Sequence, residues 1–172
     1  MVAAVIRLLA IDEGSKVLGL AYFDGDACLW TRQFAPSAGW PWYRRMRWIT
    51  DQMRPFLEEQ GAAPDVVAIE DAVVGANPKT AVIMGKSIGY LTCAFAHWYP
   101  DARLMPIMPA AVRAAASAPA HRDTAIARYR TVAAYVTGRP IHTIGEDEAA
   151  AICIGLAAQA QLRLERWEAK AG

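Results

Sequence analysis

At 172 residues, 55% hydrophobic and 20% charged, the chain has the length and apolar content for one packed domain and is not a disordered polymer. Its net charge of +1 gives no global sign of a nucleic-acid partner, although a neutral sum leaves room for a local patch. Polar residues break the apolar runs well short of a bilayer's width, and the start lacks a basic segment followed by a small-residue cleavage site. A cytoplasmic protein without a membrane span is expected. Cys28, Cys93 and Cys153 are odd in number, lack CxxC spacing and have apolar neighbours, so they are expected to be reduced core thiols.

Residues 4 to 11 form an apolar run that meets Asp12, turns through Gly14-Ser15 and resumes over residues 16 to 24. This predicts a hairpin whose first strand is central and presents Asp12 at its mouth. A carboxylate beside a buried strand needs a hydrogen-bonding or metal partner; the plainer alternative is a turn cap next to a glycine. A third strand over residues 27 to 35 follows the turn Asp24-Gly25-Asp26 and completes an antiparallel meander.

A helix is predicted from Pro41 or Trp42 to about Gln60, stopped by Gly61 with Pro64 beyond. Here Arg44, Arg45, Arg47 and Arg54 lie among Trp40, Trp42, Tyr43 and Trp48. The mixture reads either as a surface that grips phosphates and stacks on bases, or as an amphipathic helix with core tryptophans and solvated arginines. A more diffuse basic set is Lys79, Lys86, Arg113, Arg122, Arg128 and Arg130.

Asp65 to Glu70 is a short β-branched strand that again runs into an acid. With a crossover helix before it, it pairs parallel to the first strand, which makes Asp12 and Glu70 neighbours at one sheet edge. Asn77-Pro78-Lys79-Thr80 opens a second helix to about Trp98, in which the Gly85 and Gly89 spacing allows close approach to a neighbouring helix or sheet. Residues 103 to 107 make a fifth strand, Pro109 starts a short helix to about Ala116, and Ser117 to Arg122 is a loop. Asp123 is expected to cap a helix to about Thr137, ended by Gly138-Arg139-Pro140. A last helix runs from near Glu146 to about Lys170, with Ile152, Leu156, Leu162 and Leu164 available to pack on the sheet. Its head, Glu146-Asp147-Glu148, suits a helix N-terminus, and the alanines behind it predict that this turn is pressed close to something.

Acids thus stand at the ends of the first and fourth strands and at the start of the last helix. Converging carboxylates repel one another unless a cation neutralises them, and hard oxygen donors in this number suit Mg²⁺ or Mn²⁺. The order of elements and three stretches carry a resemblance: Ala10-Ile11-Asp12-Glu13-Gly14-Ser15; Ala68-Ile69-Glu70-Asp71 with Gly75-x-Asn77-x-Lys79-Thr80-Ala81; and Asp147-Glu148-Ala149. Over roughly residues 5 to 160 the chain resembles the RuvC-like Holliday-junction resolvases, especially phage-type members, of the ribonuclease H-like superfamily.

The resemblance implies an α/β, ribonuclease H-like fold over residues 1 to 172, with a five-stranded mixed sheet of three antiparallel and then parallel strands, flanked by helices. It further implies a homodimer that hydrolyses phosphodiesters in four-way or branched DNA, with two Mg²⁺ or Mn²⁺ ions per active site and one nick per subunit. Asp12 would bridge the metals, Glu70 would ligate one, and Asp147 would be the first acid of the family's Asp-x-x-Asp pair. The second acid of that pair then falls on Ala150, so Glu148, Glu146 or a water must fill the gap, and Glu148 joins the expected metal ligands. Val73 and Val74 stand where the family carries an aromatic that inserts at the junction centre. His121 or Arg122 would face the scissile phosphate, unless Ala120-His121-Arg122-Asp123 is a solvated loop, and Asn77, Lys79, Lys86 and Arg113 are further candidate DNA contacts. Two rivals are a junction-binding protein weakened by the loss of one acid, and an ATPase of the actin and sugar-kinase class, for which the chain is too short to supply two lobes.

Overall fold

The run Arg-Leu-Leu-Ala-Ile-Asp-Glu forms strand β1 (Arg7–Glu13), whose period of two sends Leu8 and Ala10 to one face and Leu9 and Ile11 to the other. Both faces are apolar, so the strand belongs at the centre of a sheet covered on two sides. The computed structural model, which describes residues 5–14, 16–71 and 78–171, has it there. With β2 (Leu18–Asp24), β3 (Ala27–Phe34), β4 (Val66–Glu70) and β5 (Arg103–Ile107) it forms a five-stranded sheet in the order β3-β2-β1-β4-β5. The β1–β2 and β2–β3 pairs are antiparallel, while β1–β4 and β4–β5 are parallel. This is the expected mixed sheet. Ile11 lies beside Ile69, so the strands bearing Asp12 and Glu70 finish together at one edge.

Helices α1 (Trp42–Glu59) and α2 (Pro78–Trp98) cover the Leu9 and Ile11 face with Met46, Ile49, Met53, Leu57, Leu91 and Phe95. Against the other face lie α3 (Pro109–Ala115), α4 (Arg122–Thr137) and the long α5 (Glu146–Ala171), packed through Val112, Ala133, Ala149, Ile152 and Ala158. No helix among the described residues is long and apolar enough to cross a membrane.

Several local expectations shift. β1 continues past Ile11 because Asp12 and Glu13 pair with Gly19 and Leu18 across the hairpin. Asp123 does not cap α4; the helix starts two residues earlier than such a cap would set, with His121 at the N-cap position making no side-chain cap, and Asp123 falls inside the first turn. Leu162 is buried but Leu164 is 54% exposed, since two further residues along α5 turn the side chain off the sheet-facing stripe. All three cysteines are free, yet Cys93 is exposed on α2 while Cys153 is buried. Val73, Val74, Gly75 and Asn77 lie outside the described residues.

Candidate functional site

The edge where β1 and β4 end together opens into a cleft of about 440 Å³. Asp12 and Glu70 enter it from the strand tips, and Glu146, Asp147 and Ala150 from the first turns of α5. The other wall carries Arg113 of α3, Arg122 and Tyr129 of α4, and Thr80 and Met84 of α2.

Small residues bring α5 this close. A Cβ on Gly19 of β2 would overlap the Asp147 carbonyl, so only glycine lets the helix start rest on the strand. The Asp147 carboxylate lies beside the β1–β2 turn, where a Cβ on Gly14 would stand 2.7 Å from its Oδ1. Ala149 and Ala151 are fully buried, as the alanine-rich sequence predicted for a helix start pressed against a neighbour.

The acids are under-compensated. Burial, then the like charges of Glu70, Asp147 and Glu13, raises the Asp12 carboxyl well above the usual carboxylate range, with Arg122 opposing. Burial raises Glu70 against the pull of Arg113. Burial and Glu146 raise Asp147, against its own backbone N–H and Arg122. Tyr129, pushed up to about 12 chiefly by burial and by Glu70, remains a neutral O–H donor in this cleft. Two guanidinium groups facing several carboxylates leave net negative charge, which is the electrostatic setting that hard divalent cations relieve. Among the described residues, no three His, Cys, Asp or Glu side chains are drawn into a ready-made metal cage. The oxygen donors facing one cleft fit Mg²⁺ or Mn²⁺ in kind.

No family model matches the sequence. Among solved structures, the chain is similar to Thermus thermophilus RuvC in complex with Holliday junction substrate, at 19% identity and a TM-score of 0.69 over 92% of this chain and 96% of that one. It is also similar to the fowlpox virus Holliday junction resolvase, at 16% identity and 0.58 over 91% and 99% of the two chains. The yeast mitochondrial Holliday junction resolvase Ydc2 matches at 17% identity and 0.57 over 97% and 84%. The chain has the ribonuclease H-like fold of these resolvases.

On this resolvase fold, the α5 register follows from what each acid touches. Asp147 and Ala150 share the cleft side, one turn apart, so the position of the second acid faces the cleft with a methyl group. Glu148, expected as a metal ligand, points elsewhere. Its carboxylate accepts from Arg139 Nη1 at 2.9 Å, from the Gly145 N–H at 3.2 Å and from the Thr31 hydroxyl, and it does not line the cleft. A residue next to Asp147 on a helix is turned by about 100°, which aims it at β3 instead of the strand tips. The sequence offered Arg139 only as part of a helix stop, so this half-buried pairing was not legible. Glu146 does line the cleft, with Arg130 at 3.6 Å.

The basic candidates divide similarly. Arg113 and Arg122 reach the cleft; Lys79 and Lys86 are exposed on α2, and His121 is exposed outside the cleft lining. Arg128 donates to the Ala116 carbonyl at 3.0 Å and so braces the α3–α4 connection. Asn77 lies outside the described residues. Sequence reasoning missed Thr80 and Tyr129 as cleft walls. Tyr129 carries no motif signal; only the packing of α4 on α5 brings it to the acids.

Proposed function

We propose that the chain is a divalent-metal-dependent endonuclease that acts on four-way or branched DNA as a homodimer. The observation that carries this reading is the shared cleft: Asp12, Glu70 and Asp147 arrive from three distant segments at one sheet edge and face Arg113 and Arg122. Asp12, Glu70 and Asp147 would hold the ions, with Glu146 the remaining acid in reach, and Arg113 and Arg122 would bind the phosphodiester. When bound, divalent ions supply a water activated near neutral pH and neutralise charge on the attacking and leaving oxygens. The side chains orient ions and phosphate and do no covalent chemistry.

The dimer has its own support. α2 leaves Val82 55% and Tyr90 39% exposed, and a Cβ at Gly85 or Gly89 would meet nothing within 4 Å. The glycine spacing that allows a close helix neighbour thus has none among the described residues, and a second copy would pack there. Two nicks placed symmetrically on a four-way junction also require two active sites.

Nicking of a synthetic four-way junction in Mg²⁺ or Mn²⁺ tests the function. Asp12→Asn and Glu70→Gln should keep junction binding and lose nicking by about 10³-fold or more. Full cleavage by either variant sinks the proposal. One observation favours a second reading, a junction-binding protein of weakened activity: Ala150 offers no oxygen to the cleft. If so, wild type nicks poorly in Mg²⁺, and Ala150→Asp should raise the rate.

A further inference from the structure

The basic and aromatic start of α1 is not used by the acid cleft, yet the topology brings it to the same edge. Glu13, Leu18 and Phe34 are aligned across β1, β2 and β3, so β3 ends level with the tip of β1 and the chain enters α1 from there. The core side of α1 is Met46, Ile49, Met53 and Leu57, with Trp42 and Trp48 packed at its margin. These tryptophans are therefore largely structural. The outward arc is different: Tyr43 is 62% exposed, and Arg44 and Arg47 are also exposed.

This arc is already ordered. The Arg44 guanidinium lies over the Trp40 ring, 4.4 Å from its centroid, and Arg45 Nη1 donates to the Trp40 carbonyl at 2.6 Å. Tyr43 and Trp42 meet edge to face at 6.2 Å. Lys86 of α2 stands over the other side of this group, 5.9 Å from the Trp42 ring centroid, while Thr80 and Met84 of the same helix line the acid cleft. α2 therefore borders the cleft on one side, at Thr80 and Met84, and the start of α1 on another, at Lys86. At the start of α1 Arg44 and Arg47 carry positive charge, the first turn has no acid, and Asp51 is the acid near Arg47, at 3.8 Å between two exposed side chains. Exposed aromatic rings beside guanidinium planes on a basic track are the chemistry that stacks unpaired bases while holding their phosphates.

We infer that Trp40, Tyr43, Arg44 and Arg47 form a second DNA-binding surface that takes a strand with unstacked bases as it leaves the cleft. The inference rests on the nuclease reading for its substrate class, but its test is a binding measurement in Ca²⁺ or chelator with no chemistry. Tyr43→Ala and Arg44→Ala should each weaken binding of a fluorescent four-way junction about 10-fold or more, and fully paired duplex less. Arg44→Ala should also flatten the salt dependence by about one phosphate contact. In wild type, 2-aminopurine at the branch point should change its fluorescence on binding, and Tyr43→Ala should abolish that change. Arg54→Ala, further along the same helix and paired with Glu58, is the control and should bind as wild type does. Wild-type affinity and an unchanged 2-aminopurine response in both patch variants overturn the inference and leave the nuclease reading intact. So does loss of self-association in sedimentation, which would make the patch a protein contact. Nicking that survives Asp12→Asn sinks the nuclease reading instead, and a wild-type protein that binds no junction sinks both.

Discussion

The two faces of the sheet meet at the tip of β1, and they are built differently. On the α5 side small residues dominate: Gly19, Ala149, Ala151 and Gly155 let the helix start rest on the strands. On the α1 and α2 side the core is Met46, Ile49, Met53, Leu57, Leu91 and Phe95, all large residues. Consecutive acids of β1 experience the two regimes. Asp12 opens to the cleft and its fellow acids. Glu13, pointing to the other face, is only 4% exposed, and the polar groups that face its carboxyl are Ser87 and Arg45. Burial pushes the Glu13 carboxyl up to about 8, with Ser87 and Arg45 offsetting part of that cost. On the small-residue side the sheet edge gathers neighbouring charges into a site, whereas on the large-residue side a single charge stands among apolar groups and is costly.

Breaking the α5 side should have the largest effect, because it takes away activity as well as stability. Gly19→Val forces a side chain into the Asp147 backbone, and an overpacked core of this kind costs about 1–3 kcal/mol. Thermal unfolding should show that loss, and displacement of Asp147 should remove nicking even where the variant folds. Neutralising the buried charge on the other side should do the opposite. Between the unfolded value of 4.5 and the folded value of about 8, folded Glu13 keeps a proton that the unfolded chain has released. Stability therefore falls as pH rises through this window and levels off above it. Glu13→Gln carries no such proton. Denaturation in chelator should find the variant more stable than wild type by on the order of 2–4 kcal/mol near pH 8.5, and little different at pH 4.

Glu148 sharpens the contrast within α5 itself. Arg139, Thr31 and the Gly145 N–H hold its carboxyl below the usual range despite burial, so its contribution is present above the unfolded value of 4.5 and is lost as pH falls through the folded one. Glu148→Gln should cost about 1–3 kcal/mol at neutral pH while nicking is retained. Loss of nicking in a folded Glu148→Gln protein would mean that the acid serves the cleft after all. The smallest effect belongs to the surface: Arg103→Ala breaks a bidentate pair with Glu165 whose partners are 49% and 37% exposed, worth about 1 kcal/mol or less.

Element order, the parallel return of β4 and the meeting of Asp12 with Glu70 were all legible, because each follows from hydrophobic period, turn residues and the handedness of a crossover. The start of α5 was half legible. Its alanines announced a tight contact, but the first-turn acids are equivalent as helix-terminus charges, and the linear pattern cannot tell which of them the helix rotation sends to the strands. The structure separates them: Asp147 beside Gly14, Glu146 at the cleft rim, Glu148 locked to Arg139.

The sequence by itself determined a central strand ending in a carboxylate, a second strand returning parallel beside it, and a small-residue helix start pressed against the sheet. These are local or nearest-neighbour properties of the chain. Only the tertiary structure decided that Glu148 serves stability, that Tyr129 and Arg113 face the acids, and that the start of α1 shares their edge. Each of those depends on the angle and distance at which separate helices cross the sheet, which the packed side chains set jointly and no single segment encodes.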